Sequence, residues 1–266
     1  MTAAGFPVRW FLGVPFTPMT LPEAAAEIAA RDPAAPFAYV CTPNAQHLVS
    51  ADHGNRLFSD AQDDAWMVLN DSAIISLLAD RLFHEPMPLA PGSDLTVHMF
   101  RDHIKPDDAL TIIGANDEVE RRLRETFGMR NIARFEPPMG FYRDPAEIER
   151  CVDFIVAHPA RYVFLAVGAP QSETVARRTV ARHTAAAGGA IGVGLCIGSS
   201  LHFVTGVVRR APAIFRTLRM EALYRLLQNP RRHARRVFVE SLPILSLAFR
   251  VWRTPPAARS HTRDAA

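Results

Sequence analysis

Asp71 stands where an apolar run, Trp66-Met-Val-Leu-Asn70, gives way to a helical pattern. A carboxylate at such a junction either accepts a proton from a substrate hydroxyl or caps a helix. Asp94, just after Gly92 and Ser93, has a similar pair of readings, a cap or part of a phosphate-binding turn. Further polar or glycine-rich stretches also follow apolar runs. These are Thr42-Pro-Asn44, with Gln46 and His47 behind it, then Gly168-Ala-Pro-Gln-Ser-Glu173, then Gly194-Leu-Cys-Ile-Gly198-Ser-Ser200. Thr42-Pro-Asn44 by itself reads as a strand-ending turn.

Several chemistries lack their signatures. Gly192-Val-Gly194 with Gly198 does not follow G-x-G-x-x-G, and no acidic residue stands about 20 positions later to hold a ribose. A nicotinamide-dependent enzyme is therefore only weakly supported. The ten histidines form neither H-x-x-x-H nor H-E-x-x-H, and there is no G-x-S-x-G elbow, no Walker loop and no Asp-x-Asp metal clamp. Cys41, Cys151 and Cys196 show no paired spacing, which predicts neither a disulfide framework nor a cysteine-based zinc site. No metal is expected.

Such loops need a scaffold. From Pro36 to Gly198, short β-rich runs alternate with helical patterns, the rhythm of a parallel sheet covered on both faces. The expected strands are Phe37–Thr42, Trp66–Asn70, Ala109–Gly114, Ile132–Phe135, Tyr162–Val167 and Ala190–Cys196. Between them helices are expected at Ala45–Ala61, Ala73–Phe83, Leu95–His103, Asp117–Phe127, Pro145–Ala157 and Glu173–Ala187. Asp144 before Pro145 and Asn116 before an acidic first turn read as N-caps. In such a sheet, ligands bind at the carboxyl ends of the strands, where the polar loops fall.

The 266 residues, 48% apolar and 21% charged, suit a folded globular chain. No apolar run reaches the roughly 18 to 20 residues of a membrane span, no signal peptide is expected, and the chain reads as cytoplasmic. Charge is unevenly spread. Thirteen arginines against three acids from Arg209 onward give the tail +10, so the preceding residues carry −7 of the net +3. A basic tail on an acidic body points to an anionic partner: a membrane surface, a nucleic acid or a phosphorylated substrate. After Gly206 two helical segments are expected, Ile214–Gln228 and Arg231–Trp252, with a bend or restart at Pro243. The second is too short to cross a bilayer but suits a helix lying in its interface, or one simply packed on the core. The expected division is an α/β catalytic body over 1–206 and a basic helical appendage over 207–266.

In order, Leu12-Gly-Val-Pro15, Thr42-Pro-Asn44, Asn70-Asp71, Gly92-Ser-Asp94, Gly168-Ala-Pro170 and the tail resemble the WecG/TagA/CpsF family of bacterial glycosyltransferases (glycosyltransferase family 26). The most specific block is Met220-Glu-Ala-Leu-Tyr-Arg-Leu-Leu-Gln-Asn-Pro-Arg-Arg232 with Arg235-Arg236. Two positions depart from the family pattern. Its Asp-Gly is Asp71-Ser72, and its Pro-Lys-Gln-Glu is Pro170-Gln-Ser-Glu173, which puts Ser172 at the glutamine position unless a shifted loop lets Gln171 serve. The resemblance implies a Rossmann-like α/β body with a membrane-docking helical appendage. It also implies an inverting, metal-independent transferase that needs no cofactor. Such an enzyme would move a sugar such as N-acetylmannosamine, its uronic acid or glucose from a UDP-sugar to a polyprenyl-diphosphate-linked saccharide, peripherally on the inner face of the plasma membrane. In that reading Asp71 is the general base. Thr42, Asn44, Asp94, Gln171, Glu173 and Gly194 bind substrate, Arg225, Arg232 and Arg235 face the diphosphate, and nucleic acid is not a partner. Oligomeric state stays open. A nicotinamide-dependent protein and a non-catalytic lipid-binding module are the rivals.

Overall fold

The computed structural model describes residues 5–185, 189–208, 239 and 241–254, so Arg225, Arg232 and Arg235 lie outside the described residues. The chain opens with an antiparallel hairpin, β1 (Arg9–Phe11) and β2 (Val14–Phe16), turning through Leu12 and Gly13 at positive φ. Helix α1 (Leu21–Ala30) follows, its start fixed where the Thr20 N–H donates to the Glu23 carboxylate at 2.8 Å. Neither the hairpin nor α1 was among the elements expected from sequence.

All six expected strands form, mostly shorter than their apolar runs: β3 (Ala38–Cys41), β4 (Met67–Val68), β5 (Leu110–Ile113), β6 (Ile132–Phe135), β7 (Tyr162–Leu165) and β8 (Val193–Cys196). They make one parallel sheet in the order β4-β3-β8-β7-β5-β6. Its two faces carry separate cores. Tyr39, Cys41, Val163, Leu165 and Cys196 point to one, Val40, Tyr162, Phe164 and Leu195 to the other. This is the period-two alternation of a strand buried on both sides. Burial of each large side chain contributes about 1.5–3 kcal/mol.

The first face is covered by α2 (Ala45–Asp52), α4 (Ala73–Phe83), α7 (Pro145–Ala157) and α8 (Gln171–Ala185), and the second by α1, α5 (Gly92–His98), α6 (Asp117–Phe127) and the short α9 (Ser200–Val204). The helix expected over Ala45–Ala61 is in fact two. Gly54 adopts φ +83°, a left-handed stop, and the Asn55 side chain accepts from the Leu57 N–H to start α3 (Arg56–Asp63). The expected caps at Asn116 and Asp144 are made, to the Val119 and Ala146 N–H groups. A last helix, α10 (Ile244–Arg253), begins directly after Pro243, where the sequence reading set a restart. Ile244 and Ala248 are buried in the first core, and Arg250 pairs with Asp52 of α2 at 2.5 Å. Thus α10 packs on the body and buries one face there.

The chain leaves β3 for β4 on one side, whereas β8, on the other side of β3, is added last. The chain passes from β3 to α2 on the first face and from β8 to α9 on the second, and this parting of neighbouring connections opens a crevice over the carboxyl ends of the strands.

Candidate active site

A cleft of about 570 Å³ occupies that crevice. The loop after β3 supplies Thr42 and Asn44, and the loop after β4 supplies Asp71. Ala166–Ala169 come from the end of β7, Ile197–Ser200 from the end of β8, and Ser172 and Glu173 from the first turn of α8. His47, stacked on Phe58 with ring centroids 4.8 Å apart, and Phe203 of α9 complete the wall.

Asp71 is held from three directions. Its N–H donates to the Pro43 carbonyl at 3.1 Å, tying the β4 loop to the β3 loop. Its Oδ1 accepts the Gly92 N–H at 2.9 Å, at the start of α5. Asn70 anchors the preceding residue. Buried at 2% exposure, its amide donates to Ser76 Oγ and the Pro88 carbonyl and accepts from the Ser72 N–H. Asp71 therefore caps a helix, but α5 rather than the α4 that follows it in sequence, while its side chain remains on the cleft wall. Ser72 has φ −128°, extended backbone open to any residue, so the Asp-Ser pair keeps this turn without a glycine.

Thr42 is buried, and its hydroxyl donates to the Cys196 carbonyl at 3.2 Å, bridging β3 and β8. Gly92 packs against it: a Cβ there would lie 2.7 Å from Thr42 Oγ1. Asn44 caps α2 by accepting the Gln46 N–H at 3.0 Å. Each of these side chains thus makes a turn or a cap and also lines the cleft.

Three sequence-expected residues lie elsewhere. Gly194 sits inside β8 rather than in the loop after it, and a Cβ there would lie 2.5 Å from the Phe37 ring, so the position packs too closely for a side chain. Asp94 lies in the first turn of α5, a favourable place for a carboxylate by the helix dipole, and is not among the cleft-lining residues. Gln171 turns the other way. It borders a smaller pocket with Tyr142 and Arg178, and its amide nitrogen donates to the Gly168 and Ala169 carbonyls at 3.2 and 2.9 Å. Ser172 does reach the cleft, with its hydroxyl donating to the Leu165 carbonyl at 2.9 Å.

The cleft floor holds a cluster that sequence spacing does not show. In-register pairing of β3 with β8 sets Cys41 beside Cys196, and their sulfurs lie within 4.8 Å of each other and of a Glu173 carboxylate oxygen. All three residues are buried, and among the described residues Glu173 Oε2 has no hydrogen-bond partner. Burial pushes the Glu173 carboxyl up to about 7. The Cys196 thiol is raised by burial and then by Cys41 and Glu173. For Cys41 the hydrogen bond with Cys196 acts downward, but burial and the Glu173 carboxylate outweigh it. His47, Phe58 and Phe203 were also not assigned to the site from sequence. The signal that could have found them is their place on helices α2, α3 and α9, packed beside the strand ends.

Among the described residues the cleft wall carries the carboxyls of Asp71 and Glu173 and no lysine or arginine. The family described as Glycosyl transferase WecG/TagA/CpsF matches residues 9–258, nearly the whole chain. The chain belongs to that family. It is therefore a glycosyltransferase of cell-envelope polysaccharide synthesis, a class that works with a sugar donor and a lipid-linked acceptor at the membrane. Among the described residues no helix is long and apolar enough to cross a membrane.

Proposed function

We propose that the protein transfers a sugar from a UDP-sugar to a saccharide carried on a polyprenyl diphosphate, with inversion at the anomeric carbon. The observation that carries this reading is Asp71, a carboxylate fixed by Pro43 and Gly92 on the wall of a cleft at the strand ends of a family glycosyltransferase. In the reaction the acceptor hydroxyl forms a bond to the anomeric carbon, and the bond from that carbon to the diphosphate oxygen breaks. UDP leaves with the electron pair, and the hydroxyl proton passes to Asp71, a role typically contributing 10²–10⁴-fold. Thr42 and Asn44 orient sugar hydroxyls.

Two negative phosphates need positive partners, and the chain's excess arginine lies in the tail. Phe203 of α9 lines the cleft before the tail, and α10 packs on α2, whose first turn lines it, after the tail. This supports Arg225, Arg232 and Arg235 as diphosphate partners, in a departure that uses guanidinium groups rather than a divalent cation.

The outward face of α10 supports peripheral membrane docking on the cytoplasmic side. Leu245, Phe249 and Trp252 recur at helical spacing on α10 and are exposed, as is Leu242 just before the helix, with Arg250 and Arg253 beside them. An apolar stripe edged by arginines is the pattern of a helix lying in the headgroup region, where each basic residue contributes about 1 kcal/mol. The test is to incubate the protein with a panel of UDP-sugars and a short-chain polyprenyl-diphosphate saccharide, then identify the product by mass spectrometry. An acceptor heavier by one sugar supports the reading. UDP-sugar consumption that leaves the acceptor unchanged contradicts it.

A further inference from the structure

We propose that Cys41, Cys196 and Glu173 form a binding site for a thiophilic divalent cation, zinc foremost, in the floor of the cleft. Their ligand atoms lie within 4.8 Å of one another, and all three residues are buried. Tetrahedral zinc with bonds of about 2.3 Å to sulfur and 2.0–2.2 Å to oxygen spaces its ligand atoms about 3.5–3.8 Å apart. The cluster therefore closes around a cation with side-chain movements of roughly 1 Å, and the backbone register Cys41↔Cys196 stays as it is.

Two independent features point to a cation rather than to inert packing. Among the described residues Glu173 Oε2 is a buried acceptor with no hydrogen-bond partner, a costly arrangement that a metal bond would relieve. The cluster also lacks a charge partner on its own helix: Arg177, one turn along α8, bonds Asp60 and Asp64. Burial and mutual repulsion disfavour the anionic forms of all three groups, and a bound divalent cation removes both penalties. Coordination releases the thiol protons to solvent.

The mixed set of two sulfurs and one oxygen selects zinc over magnesium or calcium, which take oxygen ligands. Three protein ligands leave a fourth position. Cys196 and Glu173 both line the cleft, so that position opens towards it, as in zinc sites that exchange a small ligand. The site does not depend on the transferase reading, since it needs only the three side chains.

The full-length protein, freed of metal under reducing conditions, is titrated with Co²⁺ alone and then with Zn²⁺. The expected result is one equivalent bound, with thiolate-to-cobalt charge-transfer absorption and the intense d–d bands of four-coordinate cobalt, both lost when zinc displaces it. Cys41→Ser and Cys196→Ser each cut the charge-transfer band to about half or less, the double variant abolishes it, and Glu173→Gln weakens cobalt binding. Cys151→Ser, on α7 and outside the cluster, leaves the titration unchanged. X-ray absorption of the zinc-loaded wild-type protein should give two sulfur neighbours at about 2.3 Å, a readout that needs no variant to fold. Absence of the charge-transfer band in the wild-type protein, or its persistence in the double cysteine variant, overturns the proposal. Neither result bears on sugar transfer, which is measured separately.

Discussion

Replacing Asp71 in two ways separates its chemistry from its hold on the fold. In Asp71→Asn the amide oxygen still accepts the Gly92 N–H that Oδ1 accepts at 2.9 Å, so the start of α5 keeps its cap. What disappears is the basic carboxylate. Loss of a general base costs about 10²–10⁴ in turnover, or about 2.7–5.5 kcal/mol of transition-state stabilisation. Stability and UDP-sugar affinity should stay close to those of the wild-type protein. Asp71→Ala loses the same chemistry and also leaves the Gly92 N–H without its side-chain acceptor. A lost cap costs about 1 kcal/mol, which for a chain of this size lowers the melting temperature by roughly 2–4 °C. The assay is sugar transfer to the lipid-linked acceptor at saturating donor, beside thermal unfolding and donor binding for each variant. A folded Asp71→Asn protein that turns over within a few-fold of wild type refutes the assignment of the base. A deficit in that variant matched by an equal loss of donor binding refutes it too, by making Asp71 a binding residue.

Gly92→Ala sets a Cβ 2.7 Å from Thr42 Oγ1. Unfolding curves should show a loss of about 1–3 kcal/mol, most of it recovered in the double variant with Thr42→Ala. Glu173 has its carboxyl raised by burial from 4.5 to about 7. Its contribution to stability is thus complete below pH 4.5 and lost as pH rises through 7. In chelator-treated buffer, Glu173→Gln should gain on the wild-type protein between pH 5 and pH 8 by up to roughly 3 kcal/mol, and parallel stability–pH curves would contradict this. Leu245→Glu with Phe249→Glu, both on the exposed face of α10, should cut pelleting with anionic vesicles while the melting temperature holds. Cutting the chain after Gly206 is a poorer test, since it would uncover the core that Ile244 and Ala248 fill. Arg232→Ala with Arg235→Ala should lower transfer without changing the melting temperature.

The sheet was readable because its inner strands are buried on both faces: Tyr162-Val-Phe-Leu165 has no charged residue to blur the pattern. Helices with a capping residue at their start, such as those after Asn116 and Asp144, were legible to the residue. The break between α2 and α3 was missed because Gly54-Asn55 interrupts a stretch that otherwise reads as helix, and only the glycine's positive φ ends it. Short β1 and β2 have too few residues to show alternation.

At the site, loops following strands were informative because a parallel sheet gathers its strand ends, and so Thr42, Asn44, Asp71 and Glu173 meet in one cleft. Position within a loop was harder. Gln171 and Ser172 are adjacent, yet the start of α8 turns one to the smaller pocket and the other to the cleft. Gly194 looked like part of a phosphate loop but lies before the strand ends. The Cys41–Cys196 pair was invisible because spacing rules for metal sites assume ligands close in sequence, whereas here strand register brings them together.

The most direct test of the account is transfer by the wild-type protein in EDTA, with UDP-sugars and a polyprenyl-diphosphate-linked saccharide, read by mass spectrometry of the lipid product. The account predicts an acceptor heavier by one glycosyl unit, joined with inverted anomeric configuration, at a rate unchanged by the chelator. A retained configuration, or transfer that stops in EDTA and returns with magnesium, would contradict it.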